Sequence, residues 1–195
     1  MSTDAPTHRG VAADDPRNAG IIAFFRPPEV TTAYVHQRLA MAYRGKPAAF
    51  IAEKVAEMMA KIAQGRIRPP PPLSQPVSTV AEPFYELGTH PDIVEVLWWL
   101  ESGLPARCRW VFWGRPALVH PVSGVVFAIG YGSLGYVMRL PGNVRRTAKE
   151  AEARPAIKGN PGQVFDIGPA GPEWCFILPA APAPAWCLAA YKSAG

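Results

Sequence analysis

The chain has 195 residues, with 20 basic against 15 acidic side chains and a formal net charge of +5. Hydrophobic residues make up 49% and charged residues 18%, which supplies a core and argues against wholesale disorder. The 23 prolines break helices, so an all-helical bundle is excluded, and the length excludes a large multidomain enzyme.

Residues 1–29 carry alanine, aspartate, proline, glycine and threonine with little periodicity and no apolar leader run, and read as a flexible N-terminal tail. Its one apolar patch, Ile21, Ile22, Phe24 and Phe25, is suited to dock on the body before Pro27 and Pro28 end local structure. Residues 30–68 read as a basic helical hairpin. The first helix covers 30–45, with Val35, Leu39 and Ala42 on one face and Gly45 at its C-terminal stop. The second covers 47–64, with Pro47 at the first helical position. Phe50, Ile51, Val55, Met58, Met59 and Ile62 form its apolar stripe, and Glu53, Lys54, Glu57 and Lys61 lie off it. Residues 30–72 hold seven basic and two acidic side chains, so the charge excess of the chain is concentrated here. Such a block attracts polyanions through its summed field, or serves as a solvated face.

Four consecutive prolines at 69–72 impose extended polyproline II, and 69–80 reads as a proline-rich linker. The main domain spans 81–195. Thr89 and Asp92 have capping-box spacing ahead of a helix ending near Ser102, with Ile93, Val96, Leu97 and Leu100 on one face. Strand-like runs follow at 107–113, 117–120, 125–129 and 136–140, with turn signals at Gly114, at Ser123 and Gly124, and at 130–135. This is the pattern of an antiparallel meander. A polar helix at 143–154, a glycine/proline loop, a strand at 174–178 and a short helix at 185–194 complete the domain. Residues 116–138 are uncharged and of membrane-spanning length, but their prolines and clustered glycines read as hairpins, so no membrane partner is expected.

Among the motifs, Gly130, Gly132 and Gly135 match G-x-G-x-x-G. A dinucleotide site needs those glycines to lead into a helix, whereas Tyr136 onward reads as a strand. The plain reading is a hairpin turn, and the alternative is a phosphate loop. Cys108, Cys175 and Cys187 cannot all pair, which suits a reducing cytoplasm. With His120 they are too scattered for a metal site, so no metal or cofactor is expected. A nucleophilic Cys108–His120 pair would depend on geometry alone, and Glu173 beside Trp174 is a candidate for a carboxylate in an apolar pocket. His36 and His90 fall at helix faces or ends. With period two, Arg107, Arg109, Val111, Trp113 and Arg115 share one face, and Cys108, Trp110 and Phe112 share the core face. Three arginines beside a tryptophan can contact phosphates and stack bases, or simply cover the sheet.

The succession of motifs carries a resemblance. A helix is followed by Arg109-Trp110-Val111-Phe112-Trp113-Gly114-Arg115-Pro116-Ala117-Leu118, then Ser123-Gly124-Val125-Val126-Phe127-Ala128 and Val137-Met138-Arg139-Leu140-Pro141. After a second helix come Val164-Phe165-Asp166-Ile167-Gly168, Glu173-Trp174-Cys175-Phe176-Ile177-Leu178-Pro179 and a terminal helix. Residues 85–194 thereby resemble the N-terminal domain of the TfoX (Sxy) competence regulators and the YjbR-like proteins. The resemblance implies a small α+β domain with an antiparallel sheet and flanking helices, acting as a regulatory or interaction module without catalytic residues to carry over. The helical hairpin lies outside it.

The expected protein is therefore a non-enzymatic cytoplasmic regulatory or protein-interaction module whose partner is a protein. The alternative is a nucleic-acid-binding accessory protein using Arg107, Arg109, Trp113 and Arg115 with Lys54, Lys61, Arg66 and Arg68 of the hairpin. The second alternative is a small enzyme holding a phosphate ligand at Gly130, Gly132 and Gly135.

Overall fold

The computed structural model describes residues 8–67, 71–77, 89–152, 164–178 and 184–195, with 149–152 and 164–165 described by backbone alone. The chain divides into two compact units, residues 26–71 and the remainder. The architecture is α+β, as the sequence implied.

The larger unit is built on an antiparallel sheet of seven strands in the order β1-β2-β3-β4-β5-β7-β6. The strands are β1 (Ser74–Pro76), β2 (Arg109–Phe112), β3 (Arg115–Val119), β4 (Val126–Tyr131), β5 (Gly135–Arg139), β6 (Val164–Asp166) and β7 (Trp174–Ile177). β2 to β5 are the expected meander. Leu118 pairs with Ala128 but Val119 pairs with Val126, so Phe127 is an extra residue in β4. That bulge turns both Phe127 and Ala128 toward the same helical layer.

One face of the sheet is covered by α4 (Pro91–Ser102) and α6 (Pro184–Ala194). Ile93, Leu97 and Leu100 meet Leu118, Phe127, Tyr136, Met138 and Ile177 there. The other face is covered by α1 (Pro16–Phe25), whose Ile21, Ile22 and Phe25 meet Phe112, Ala117, Val126, Val137 and Trp174. A helix α5 (Gly142–Glu152) follows β5.

This corrects the reading of 1–29 as a loose tail. Asn18, Ile21, Ile22 and Phe25 recur at helical spacing and are all buried. Asp15 accepts the Arg17 amide at 2.9 Å and so caps the start of the helix. Asn18 is fully satisfied: its amide donates to Ala12 O at 2.7 Å and Gly124 O at 3.0 Å, and its oxygen accepts the Val126 amide at 2.9 Å. It ties the N-terminal segment to β4.

Two further corrections concern boundaries. Ser74–Pro76 of the expected linker is an edge strand paired to β2, a position that tolerates proline because its outer side needs no ladder bond. The remainder of that linker at 69–70 and 78–80, and residues 81–88 of the main domain, lie outside the described residues. Thr89 does not cap α4. It is buried and bridges Gly132, while His90 is the N-cap, its Nδ1 accepting the Asp92 amide at 3.3 Å. Pro91 then occupies the first helical position.

The smaller unit is the hairpin of α2 (Thr32–Ala42) and α3 (Ala48–Ala63). Thr31 caps α2, accepting the Tyr34 amide at 3.1 Å. Gly45 and Gly65 take positive φ of 87° and 66° at the turn and the stop, where a side chain would be strained. Pro47 is the N-cap of α3, so the helix starts at Ala48, one residue later than the sequence implied. Val35, Ile51 and Val55 are its buried core, with Leu39, Ala40, Phe50, Met58, Met59 and Ile62 half-buried around them.

Candidate functional site

The arginine–tryptophan constellation depends on which way each side chain leaves the sheet. Trp113 and Gly114 both take positive φ, 47° and 74°, forming a two-residue turn between β2 and β3. The chain reverses there, and Arg115 pairs across the ladder with Phe112. Period two does not continue through a reversal, so Arg109 and Arg115 leave opposite faces. Arg109 faces α4: its Nε donates to Glu101 Oε2 at 3.0 Å and its guanidinium lies 5.1 Å over Trp98. Arg115 faces α1, its guanidinium 5.2 Å over Phe25 and 5.7 Å over Tyr131, and burial lowers its pKa. The core-facing set divides likewise, with Cys108 in the α4 cluster and Trp110 and Phe112 in the α1 cluster. Arg107 is exposed and Trp113 packs partly into the α1 layer. The structure does not gather these four residues into one surface.

Arg107 and Arg109 do line a small polar depression of about 310 Å³ with Glu101, Ser102 and Pro105. Glu101 is its inner wall, 6% exposed, holding the Cys108 amide at 3.0 Å as well as Arg109. The carboxylate is thus committed to bracing β2 against α4. Sequence reasoning passed over Glu101, although Ile93, Leu97 and Glu101 recur every four residues and put it on the buried face of α4.

The glycine run is a hairpin. Tyr131 pairs with Gly135, and Gly132 turns the chain at φ 65°. The other two glycines answer to packing. A Cβ on Gly130 would sit 2.7 Å from Pro116 Cγ and 2.8 Å from Thr89 Cγ2, and one on Gly135 would collide with Ile177 O. The Gly132 carbonyl accepts the His90 amide at 3.0 Å. The motif leads from strand to strand, so no helix N-terminus faces a phosphate there.

The three cysteines are buried, and burial pushes the Cys108 and Cys187 thiols up to about 12, away from thiolate chemistry. His120 is bonded within its own turn, Nδ1 lying 3.2 Å from both the amide and Oγ of Ser123. Ser123 Oγ donates to Ala194 O at 2.7 Å, and Arg17 Nη1 donates to the same oxygen at 3.2 Å. This serine–histidine contact, unforeseen in the sequence, closes the C-terminal end of α6. Burial, then the Arg17 charge, lowers the pKa of His120. Glu173 is paired with Arg139 at 3.4 Å and so is no isolated carboxylate. Among the described residues no group of three ligands is placed to hold a metal, and no helix is long and apolar enough to cross a membrane.

The hairpin residues fare differently. Lys54 and Lys61 both bind Glu57, at 2.8 and 2.7 Å. The two ammonium groups hold the Glu57 carboxyl down to about 2. Arg66 is exposed, and Arg68 lies outside the described residues. On α2, a depression of about 730 Å³ is lined by His36, Gln37, Ala40, Met41 and Arg44. Ala40 packs against the hairpin core as well, while Gln37, Met41 and Arg44 point away from the Val35–Leu39 seam. Met41 is 58% exposed.

The geometry thus defines a class, an α+β sheet domain with a basic two-helix hairpin. Comparison of the chain with protein-family models, curated proteins and solved structures finds no match.

Proposed function

We propose that the protein is a non-enzymatic regulatory or protein-interaction module of the cytoplasm, of the kind the TfoX N-terminal resemblance implies. In this reading the sheet unit is the scaffold and the hairpin the contacting element. The observation that carries it is the hairpin itself: three buried side chains, an apolar stripe left half-covered, and eight basic against three acidic residues over 26–71. A two-helix element with so small a core has more surface to offer than interior to protect. An odd number of cysteines, three, fits a reducing compartment.

The nucleic-acid alternative keeps Arg38, Arg44, Lys46 and Arg66, none of which has a carboxylate partner among the described residues. It loses Lys54 and Lys61 to Glu57, and the joint Arg109–Arg115 face to the turn at Trp113. Fluorescence anisotropy with mixed-sequence DNA and RNA at two salt concentrations separates the readings. The interaction module shows no saturable binding. Affinity that falls steeply with salt reports phosphate contacts and moves the function to nucleic acid. A thermal-shift screen with nucleotides tests the phosphate-loop enzyme, since a ligand of the native state raises stability by mass action.

A further inference from the structure

The ladder between β2 and β3 is incomplete at one end. Beyond the pair Arg109–Leu118, the Val119 amide donates to Cys108 O at 2.8 Å, but the Cys108 amide donates to Glu101 Oε1 at 3.0 Å instead of returning to the Val119 carbonyl. The N-terminal segment 8–12 completes the rung. His8 Nε2 lies 3.1 Å from Val119 O, and its ring stacks on Trp110 with centroids 4.5 Å and planes 14° apart. Backbone donors hold the segment along its length: the Arg9 amide to Pro121 O at 3.1 Å, the Val11 amide to Ser74 Oγ at 3.2 Å and the Ala12 amide to Gly124 O at 2.9 Å. The seat is close-fitting, since a Cβ on Gly124 would sit 2.6 Å from Gly10 O.

The two ring nitrogens of His8 have opposite tasks. Val119 O only accepts, so Nε2 carries the proton, whereas Nδ1 accepts the Gly10 amide at 3.1 Å and must be bare. A second proton on the ring would set one N–H donor against another. We propose that residues 8–12 form a histidine-latched strap, seated on β2 and the β3–β4 turn while His8 is neutral and released when His8 takes a proton, which uncovers Trp110. The charges nearby do not shelter an imidazolium. Arg9 of the strap is paired with Asp14, His120 of the turn is itself a base beside His8, and Arg17 of α1 is held by Asp15. Tyr191 of α6 lies against His120, and among the described residues no carboxylate pairs with His8. The Trp110 face attracts an imidazolium, but it stacks on either form, whereas the Gly10 bond exists only for the neutral one. Burial lowers the His8 pKa below its ordinary 6.5. The released histidine therefore binds the proton more tightly, so the latch is complete above pH 6.5 and weakens as pH falls below it.

The test follows the full chain by nuclear magnetic resonance from about pH 8 to about pH 5 at fixed ionic strength. The His8 Hε1 resonance is expected to titrate below 6.5. Protection of the Arg9 and Ala12 amides, corrected for intrinsic exchange, is expected to fall about threefold or more while β4 amides keep theirs. His8→Gln supplies an amide donor for Val119 O without a titrating group and is expected to stay seated at low pH. His8→Ala is expected to show the low-pH exchange throughout, and His120→Gln to keep the wild-type response. A His8 titration at or above 6.5 overturns the proposal, because the stack on Trp110 then outweighs the Gly10 bond. Strap amides indifferent to pH overturn it as well. So does a response that survives His8→Gln, or one that His120→Gln abolishes, which gives the titration to another group.

Discussion

The sheet unit and the helical hairpin solve the same problem with unequal means. In the sheet unit β3, β4 and β5 are covered on both sides, by α4 and α6 on one face and α1 on the other, and its polar groups are drawn into the frame. Asn18 stitches α1 to β4, Glu101 braces β2, and Ser123 with Arg17 closes α6. The hairpin has one internal seam and three buried residues, and its ion pairs lie in solvent. Burial on two sides makes a deep core, whereas a single seam leaves most side chains of the element exposed.

The largest expected difference is in hydrogen exchange. Amides of β4 and β5 are expected to exchange slower than those of α2 and α3 by on the order of 100-fold or more, because local opening of the hairpin exposes little apolar surface. Equal protection would erase the distinction between the units. Next, Phe127→Ala removes a fully buried ring from the bulge that faces Tyr191, and is expected to cost about 3–5 kcal/mol in denaturant unfolding. Asn18→Ala leaves Ala12 O, Gly124 O and the Val126 amide without their partner, for a loss of about 1–3 kcal/mol. Gly130→Ala forces a Cβ against Pro116 and Thr89, for a loss of about 1–3 kcal/mol in denaturant unfolding.

The smallest effect is a pH dependence confined to the hairpin. The Glu57 carboxyl is depressed in the folded state, so its contribution is complete above the ordinary glutamate value of 4.5 and is lost as pH falls toward about 2. Helicity of α3 is expected to decline through that window at low salt. Glu57→Gln is expected to remove the dependence, and high salt to weaken it, since the pairs are exposed. A decline that survives Glu57→Gln assigns the titration elsewhere.

Much of the scaffold is written in local pattern. The alternation and turn glycines of 107–140 specify the meander, and the period of Ile93, Leu97 and Leu100 specifies α4, because each signal is contained within one element. Ile21, Ile22 and Phe25 have helical spacing too, but ten residues between prolines carry too little amphipathic signal to show that a whole sheet face waits for them. The edge strands β1 and β6, three residues each, have no period to read and exist only because a neighbour offers its ladder.

The candidate site divides in the same way. Composition by itself determined that residues 30–72 concentrate the positive charge and that the hairpin has one narrow apolar stripe. Helical spacing within α3 decides which charges are spent there, since Glu57 lies three and four residues from Lys54 and Lys61 and binds both. Only tertiary structure decided that Arg109 and Arg115 part company, because a reversal at Trp113 and Gly114 resets the alternation that a linear reading carries straight through. Spacing along the chain settles the direction of a side chain only while the backbone keeps a single periodicity. Turns, bulges and the packing of distant elements determine what that side chain meets.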